Sequence, residues 1–208
     1  YPVEQVATPE GYARNPEQVI NFYNERRKQL LDVVPNAGHL GVADLERDFN
    51  VTVVTQNVDN LHERAGSTHV IHLHGELTKV CSSRDPYNPH FVKELAPEEY
   101  EVKLGDKAGD GTQLRPFIVW FGESVPEIET AIRYVEQADI FVIIGTSLNV
   151  YPAAGLLNYV PRAAEVYLID PKPVDTHVMR PIHVIQKGAS EGVKELKALL
   201  TVTQPPLP

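Results

Sequence analysis

TQNVDNLHERAGSTHVIHLHGEL, residues 55–77, decides how the rest of the chain is read. A β-branched run, VTVVT at 51–55, feeds directly into a polar cluster of Gln56, Asn57, Asp59 and Asn60. A second strand-like run over 69–74 ends in His74-Gly75. In an α/β sheet, polar side chains at the carboxyl ends of parallel strands converge on the ligand crevice. An amide pair, a carboxylate and an imidazole are therefore expected in one pocket. That set suits cofactor recognition plus one general base. Phosphate binding is not supplied by Gly105, Gly109 and Gly111, which follow no strand and precede no Gly-Lys-Ser/Thr.

The chain has 208 residues, 42% of them apolar, enough for one domain or for a large and a small one. The net charge of −9 disfavours nucleic acid and anionic membranes as partners. Cys81 is the only cysteine, which excludes an internal disulfide and any multi-cysteine metal site, and suggests a reducing, cytoplasmic setting. No apolar run approaches the roughly 20 residues of a membrane span, and no signal peptide is visible.

Outward from the opening stretch, helices alternate with buried strands. Asn15 caps a helix over 16–33, with Pro16 at its first position and Gln18 placed to close a capping box. Asn36 caps a second helix to about 49. A short helix over 58–65 separates the two strands of the opening stretch. Residues 78–114, rich in Ser, Pro and Gly, read as a loop-rich insertion. A strand at 116–121, a helix at 126–137 and a continuous apolar strand at 139–145 follow. A helix at 152–160, strands at 165–170 and 182–185 and a helix at 190–200 complete the pattern. This predicts an α/β fold with a doubly wound parallel, Rossmann-like sheet. The expected sheet domain covers 51–76 and 114–200; the small domain covers 12–50 and 77–113, with 201–208 as a tail.

His72 and His74 lie two apart on a predicted strand and so face one side. His-x-His is also a zinc spacing, with His62 or His69 as conceivable further ligands, but no carboxylate or cysteine pattern supports a metal. His72 alone reads as a buried, hydrogen-bonded ring. Gly75 lets the backbone turn away and expose His74, which suits a general base near neutral pH. Asp59 alone could cap the following helix, but Gln56, Asn57 and Asp59 together exceed that need. Gly145-Thr146-Ser147, with Asn149 after it, is either an ordinary strand exit or a grip on ribose and phosphate. No Gly-x-Ser-x-Gly elbow surrounds Ser124 or Ser147, so serine hydrolysis is not expected. Tyr23 and Arg26, three apart on a helix, are either a ligand pair or a packed tyrosine beside a solvated arginine.

In this order the pieces resemble the sirtuin (Sir2) family of NAD-dependent protein lysine deacylases. The matching segments are FYNERR (22–27), PNAGH (35–39), TQNVDNLHERAG (55–66), HLHGEL (72–77), LRPFIVWFGE (114–123) and GTSLNVYPAAG (145–155). The resemblance runs from about Ala7 to Leu200 and is weak across 81–113.

It implies NAD as cofactor and acylated-lysine proteins or peptides as partners, with nicotinamide and O-acyl-ADP-ribose as products. It implies His74 as general base, with Asn57 beside it in catalysis. Gln56, Asn57, Val58 and Asp59 would meet the nicotinamide ribose and carboxamide. Gly145, Thr146 and Ser147 would meet ribose and phosphate. Asp170, Pro171, Lys172 and Ala189 would lie at the adenosine end, where an acidic residue after a strand can bond ribose hydroxyls. Val119, Phe121, Gly122 and Glu123, with Asn149, Val150 and Tyr151, would grip the substrate backbone as an added strand. Tyr23 and Arg26 match the Tyr-x-x-Arg pair of the subgroup that removes malonyl and succinyl groups. A guanidinium can hold a carboxylate bidentately.

Two features depart from the family. Its Gly-Ala-Gly loop and Thr-Phe-Arg stretch have no counterpart, so the sequence is expected either to be a fragment that starts inside the cofactor-binding loop or to lack part of the NAD site; a non-catalytic binding module is the alternative reading, and a His-x-His metal hydrolase a further one. Three of the four zinc cysteines are also missing. The small domain is therefore expected to be zinc-less, with 82–113 held by packing of Tyr87, Phe91, Leu95 and Tyr100.

Overall fold

The computed structural model describes residues 1–145, 153–173 and 180–202. Its helices are α1 (Val3–Val6), α2 (Pro9–Arg14), α3 (Pro16–Leu30), α4 (Ala37–Asp44), α5 (Leu61–Ala65), α6 (Ile128–Val135) and α7 (Ala189–Val202). Its strands are β1 (Val53–Thr55), β2 (Val70–His72), β3 (Gly75–Ser82), β4 (Lys93–Glu94), β5 (Leu114–Ile118), β6 (Ile140–Ile144), β7 (Glu165–Ile169) and β8 (His183–Ile185). They form two compact units. One holds 1–34, 54–60 and 72–127, and the other holds 35–53, 61–71 and 128–208. These bounds differ from those expected of the sequence: 35–50 groups with the parallel strands, and 114–127 with the small unit.

The first unit is an antiparallel sheet in the order β4-β3-β5 with α3 packed on it. Asn15 accepts the Gln18 amide at 3.2 Å, and Pro16 takes the position where no intrahelical donor is needed. The helix ends at Leu30, earlier than Pro35 suggested. Its inner face supplies Val19 and Tyr23 to a core with Leu77, Ile118 and Trp120. Ile20 meets Val80 and Val102 in a second cluster, against which Leu95 packs.

The expected insertion at 78–114 is more ordered than its composition suggested. β3 runs unbroken to Ser82 and pairs with β5 from Val80–Pro116 to Ser82–Leu114. GELTKVCS lacks period-2 alternation because both faces of this strand are partly covered, so the pattern carried no strand signal. Packing of Leu95 and Tyr87 is joined by polar ties. The buried Ser82 hydroxyl donates to Asp110, whose carboxylate also accepts the Thr112 amide and hydroxyl. Arg27, buried on α3, donates to Tyr100 O, Leu77 O and Asn24 Oδ1. Burial lowers its pKa to about 10. Asn24 in turn exchanges two hydrogen bonds with the Val102 backbone. Cys81 is buried, and that burial pushes its thiol up to about 12.

The second unit carries the parallel sheet β6-β7-β8. Successive residues of β7 face opposite sides. Tyr167 and Ile169 join Leu45, Ile185, Val193, Leu196 and Leu200 beneath α7, while Val166 and Leu168 are buried on the other face. Both faces of the central strand are thus covered, as its apolar sequence predicts. α7 approaches so closely at Gly192 that a Cβ there would lie 2.2 Å from Ile169 Cγ2. α4 opens with a reciprocal capping box between Asn36 and His39, then relaxes into a 3₁₀ turn at Leu45–Arg47. The helix predicted at 152–160 is a 3₁₀ helix, Ala153–Tyr159, within the described residues.

β1 and β2 pair with each other, and the division between the units crosses both strands. β2 stops at His72; Leu73 and His74 form a turn, so His72 and His74 do not share a strand face as expected. Gly75 makes the corner at φ +87°, where a Cβ would lie 2.1 Å from Phe117 O. Gly75→Ala combines a left-handed backbone with a backbone clash, and is expected to cost about 2–5 kcal/mol. Urea denaturation checks this: the midpoint should fall with the slope unchanged.

Candidate active site

The 55–59 turn is fixed by backbone and short side-chain bonds. Thr55, buried at the end of β1, accepts the Asn57 amide on Oγ1 at 3.0 Å. The buried His72 ring donates Nδ1–H to Asn57 O at 3.0 Å, because a carbonyl can only accept. His72 is therefore the packed, hydrogen-bonded residue expected of it. Val58 is anchored through its carbonyl to the Leu77 amide at 2.8 Å, and its side chain packs against the Val19–Trp120 core. Gln56, Val58 and Asp59 are left half-buried and Asn57 exposed.

The His74 turn is tied to the same framework. Leu73 N–H donates to Thr55 O at 2.9 Å, and His74 O accepts from Val119 N–H at 2.9 Å. The polar turn, His74 and Val119 are thus brought together within one unit, with the His74 ring half-buried. Asn60 Oδ1, in the same polar turn, is buried and finds no donor among the described residues. A buried acceptor without a donor is costly unless another molecule supplies one.

Beyond Val119, Phe121 is 69% exposed and Gly122 turns at φ +91° with open space where a side chain would be. The Phe121 amide donates to Ala7 O at 3.0 Å. Glu123, by contrast, points inward. Its carboxylate is forked on the Arg115 guanidinium at 3.0 and 3.1 Å and accepts the Trp120 amide at 2.8 Å and the Tyr87 hydroxyl at 3.0 Å. Burial pushes the Glu123 carboxyl up, but the Arg115, Trp120 and Tyr87 donors outweigh it and hold its pKa below the ordinary value. Arg115 lies 3.8 Å over the Trp120 ring. Sequence alone does not single out Arg115 or Trp120, and it gives Tyr87 only a packing role. The available signal was a lone arginine inside an otherwise apolar strand, LRPFIVW, which demands a buried partner.

On α3 the two residues of the Tyr-x-x-Arg pair diverge. Tyr23 is buried, donates to Val6 O at 2.9 Å and accepts Trp120 Nε1–H at 3.1 Å. Its hydroxyl is committed to the protein's own groups. Arg26 is exposed, its guanidinium 5.0 Å from the Phe22 ring centre.

In the second unit, Gly145 leaves β6 at φ +65° with open space beside its Cα, and its amide donates to Ile169 O at 3.1 Å. Asp170 leaves β7, and its Oδ1 accepts the Lys172 amide at 2.8 Å. Pro171 and Lys172 are exposed, and Ala189 opens α7. Gly145 and Asp170 thus stand at the carboxyl ends of neighbouring parallel strands, where α/β sheets bind ligands. Thr146, Ser147, Asn149, Val150 and Tyr151 lie outside the described residues.

A sequence model of the Sir2 family matches residues 1–152. An NAD-dependent protein deacylase of Bacteroides thetaiotaomicron is 83% identical over 200 residues, covering 96% of this chain and 86% of that protein. Among solved structures, a complex of a Sir2 homologue with NAD superposes with a TM-score of 0.79 at 37% identity, covering 97% of this chain and 78% of that one. A Sir2 complex with p53 peptide and NAD has a TM-score of 0.74 at 26% identity, covering 93% and 82%. With its α/β architecture, its interlocked 55–59 and His74 turns and these relatives, the chain belongs to the Sir2 family.

Proposed function

We propose that this protein is an NAD-dependent protein lysine deacylase. The observation that carries the reading is the backbone lock between the 55–59 turn and the His74 turn. It presents amides, a carboxylate and one imidazole from a rigid frame, as preorganised catalysis requires.

The residues present fit NAD. Asp170 at the end of β7 can bond ribose hydroxyls, and the positive-φ turn at Gly145 leaves space beside its backbone. The unpartnered Asn60 Oδ1 suits a ligand donor. Gln56, Asn57, Val58 and Asp59 would face the nicotinamide ribose and carboxamide; Gly145, Thr146 and Ser147 the ribose and phosphates; Pro171, Lys172 and Ala189 the adenosine end. When bound, NAD supplies an electrophilic ribose carbon that accepts the acyl oxygen of the modified lysine as nicotinamide leaves.

In this reading His74 would take a proton from a ribose hydroxyl of the bound cofactor. His74 is half-buried, and its backbone carbonyl accepts the Val119 amide, which fixes the main chain that carries the ring. Asn57 would act with it, exposed on a turn that Thr55 and His72 fix. Val119, Phe121 and Gly122, with Asn149, Val150 and Tyr151, would receive the peptide as an added strand. The buried, unpaired Cys81 accords with a cytoplasmic location, where thiols stay reduced.

We assign the malonyl and succinyl preference of the Tyr-x-x-Arg subgroup to Arg26 alone among the pair. Tyr23 supports the helix through Val6 and Trp120, whereas the exposed Arg26 guanidinium is available to a terminal carboxylate.

Turnover of acyl-lysine peptides with and without NAD tests the main reading; NAD-independent turnover, or none with any acyl group, sinks it. His74→Ala should lower NAD-dependent turnover by at least about 10²-fold. Arg26→Met should lower kcat/KM for succinyl- and malonyl-lysine by roughly 10-fold or more while acetyl-lysine changes much less. Equal losses for the two acyl classes would leave Arg26 as a surface residue of the helix.

A further inference from the structure

Glu123 belongs to the segment assigned to the peptide, yet every contact described for its carboxylate is internal. The Arg115 fork, the Trp120 amide and the Tyr87 hydroxyl converge on two oxygens whose side chain is 15% exposed. Arg115 does more than neutralise that charge. Its Nη2 also donates to Ile118 O at 2.8 Å and its Nε to Pro116 O at 3.3 Å, while its plane lies on the Trp120 ring. One guanidinium thus holds the end of β5, the ring of Trp120 and the far side of the turn. Between the two held points stand Phe121 and Gly122, the residues left open to solvent. Tyr87, from the segment after β3, braces the same carboxylate from outside the turn and meets Phe117 edge-on at 6.2 Å.

We infer that Arg115 is a positioning residue for the acyl-peptide: through Glu123 and Trp120 it sets the backbone shape of residues 119–123 on which the peptide docks. The inference rests on the deacylase reading. It assigns the Glu123 side chain to the turn and leaves the peptide to Phe121, Gly122 and the backbone. The work needs arginine rather than lysine, because only a planar fork can bind both carboxylate oxygens, a carbonyl and a ring face at once. An ammonium keeps the charge and loses the geometry.

Trp120 makes this measurable without turnover. It is the chain's only tryptophan, 2% exposed, with the Arg115 guanidinium on its face. Its fluorescence therefore reports on this turn. The probe is a tryptophan-free acetyl-lysine peptide titrated into the full chain, alongside steady-state kinetics in both substrates and far-UV melting. Arg115→Lys should raise the peptide Kd and KM by about 10-fold or more, with kcat and the KM for NAD within about 2-fold. Tyr87→Phe removes one donor from the same carboxylate and should raise the peptide Kd about 3- to 10-fold. It keeps the test decisive if the lysine variant fails to fold. A peptide Kd unchanged in Tyr87→Phe, or a loss shared equally by the NAD KM, overturns the positioning role and leaves a structural strut. No peptide response in the unaltered protein overturns the deacylase reading itself, and this inference with it.

Discussion

The corner at His74–Gly75 is the constraint on which the first unit depends. A chain leaving β2 must reverse onto β3 while its backbone passes within contact of Phe117 O, and only a residue without a Cβ can do so at positive φ. The corner then delivers three backbone bonds: Leu73 to Thr55, Leu77 to Val58, and Val119 to His74. Together they draw the 55–59 turn, the histidine and the exit from β5 into one frame. Because all three use main-chain atoms, the frame does not depend on which side chains it displays. That leaves the exposed positions free to do chemistry.

The same unit manages its buried charges differently at its two ends. Near Trp120, Arg115 has a carboxylate partner and an aromatic face, an arrangement that offsets the desolvation of both ions. Near Tyr100, Arg27 meets carbonyls and an amide, and its lowered pKa records the cost of that burial. Ser82, Asp110 and Thr112 add a compact polar knot beside the buried Cys81. Loop segments too short of apolar residues to form a core are thereby held by directional bonds that fix both position and register.

Neighbours in space override local sequence in several places. Residues 78–82 look like loop because Thr78, Lys79 and Ser82 break the alternation, but β5 and β4 flank the strand and supply its ladder. The helix expected from Asn36 to about 49 ends at Asp44 and continues as a 3₁₀ turn, Leu45–Arg47, whose Leu45 is buried in the cluster with Val193 and Leu196. Of the two readings open to Tyr23 and Arg26, the structure takes the packed tyrosine beside a solvated arginine. Three residues rotate a helix by less than a full turn, and Trp120 draws Tyr23 inward while Arg26 stays in water.

The sequence by itself determined the alternation of helices and strands, the apolar parallel strands, the caps at Asn15 and Asn36, and the polar cluster that ends in His74. These are local properties, legible from period, turn chemistry and motif order. Only the tertiary structure decided that His72 is locked to Asn57 O, that Tyr23 gives its hydroxyl to Val6, and that Glu123 turns away from solvent onto Arg115. Each of those depends on a partner at a distance in sequence that no pattern specifies. A donor, acceptor or charge leaves water only where folding has already placed its complement.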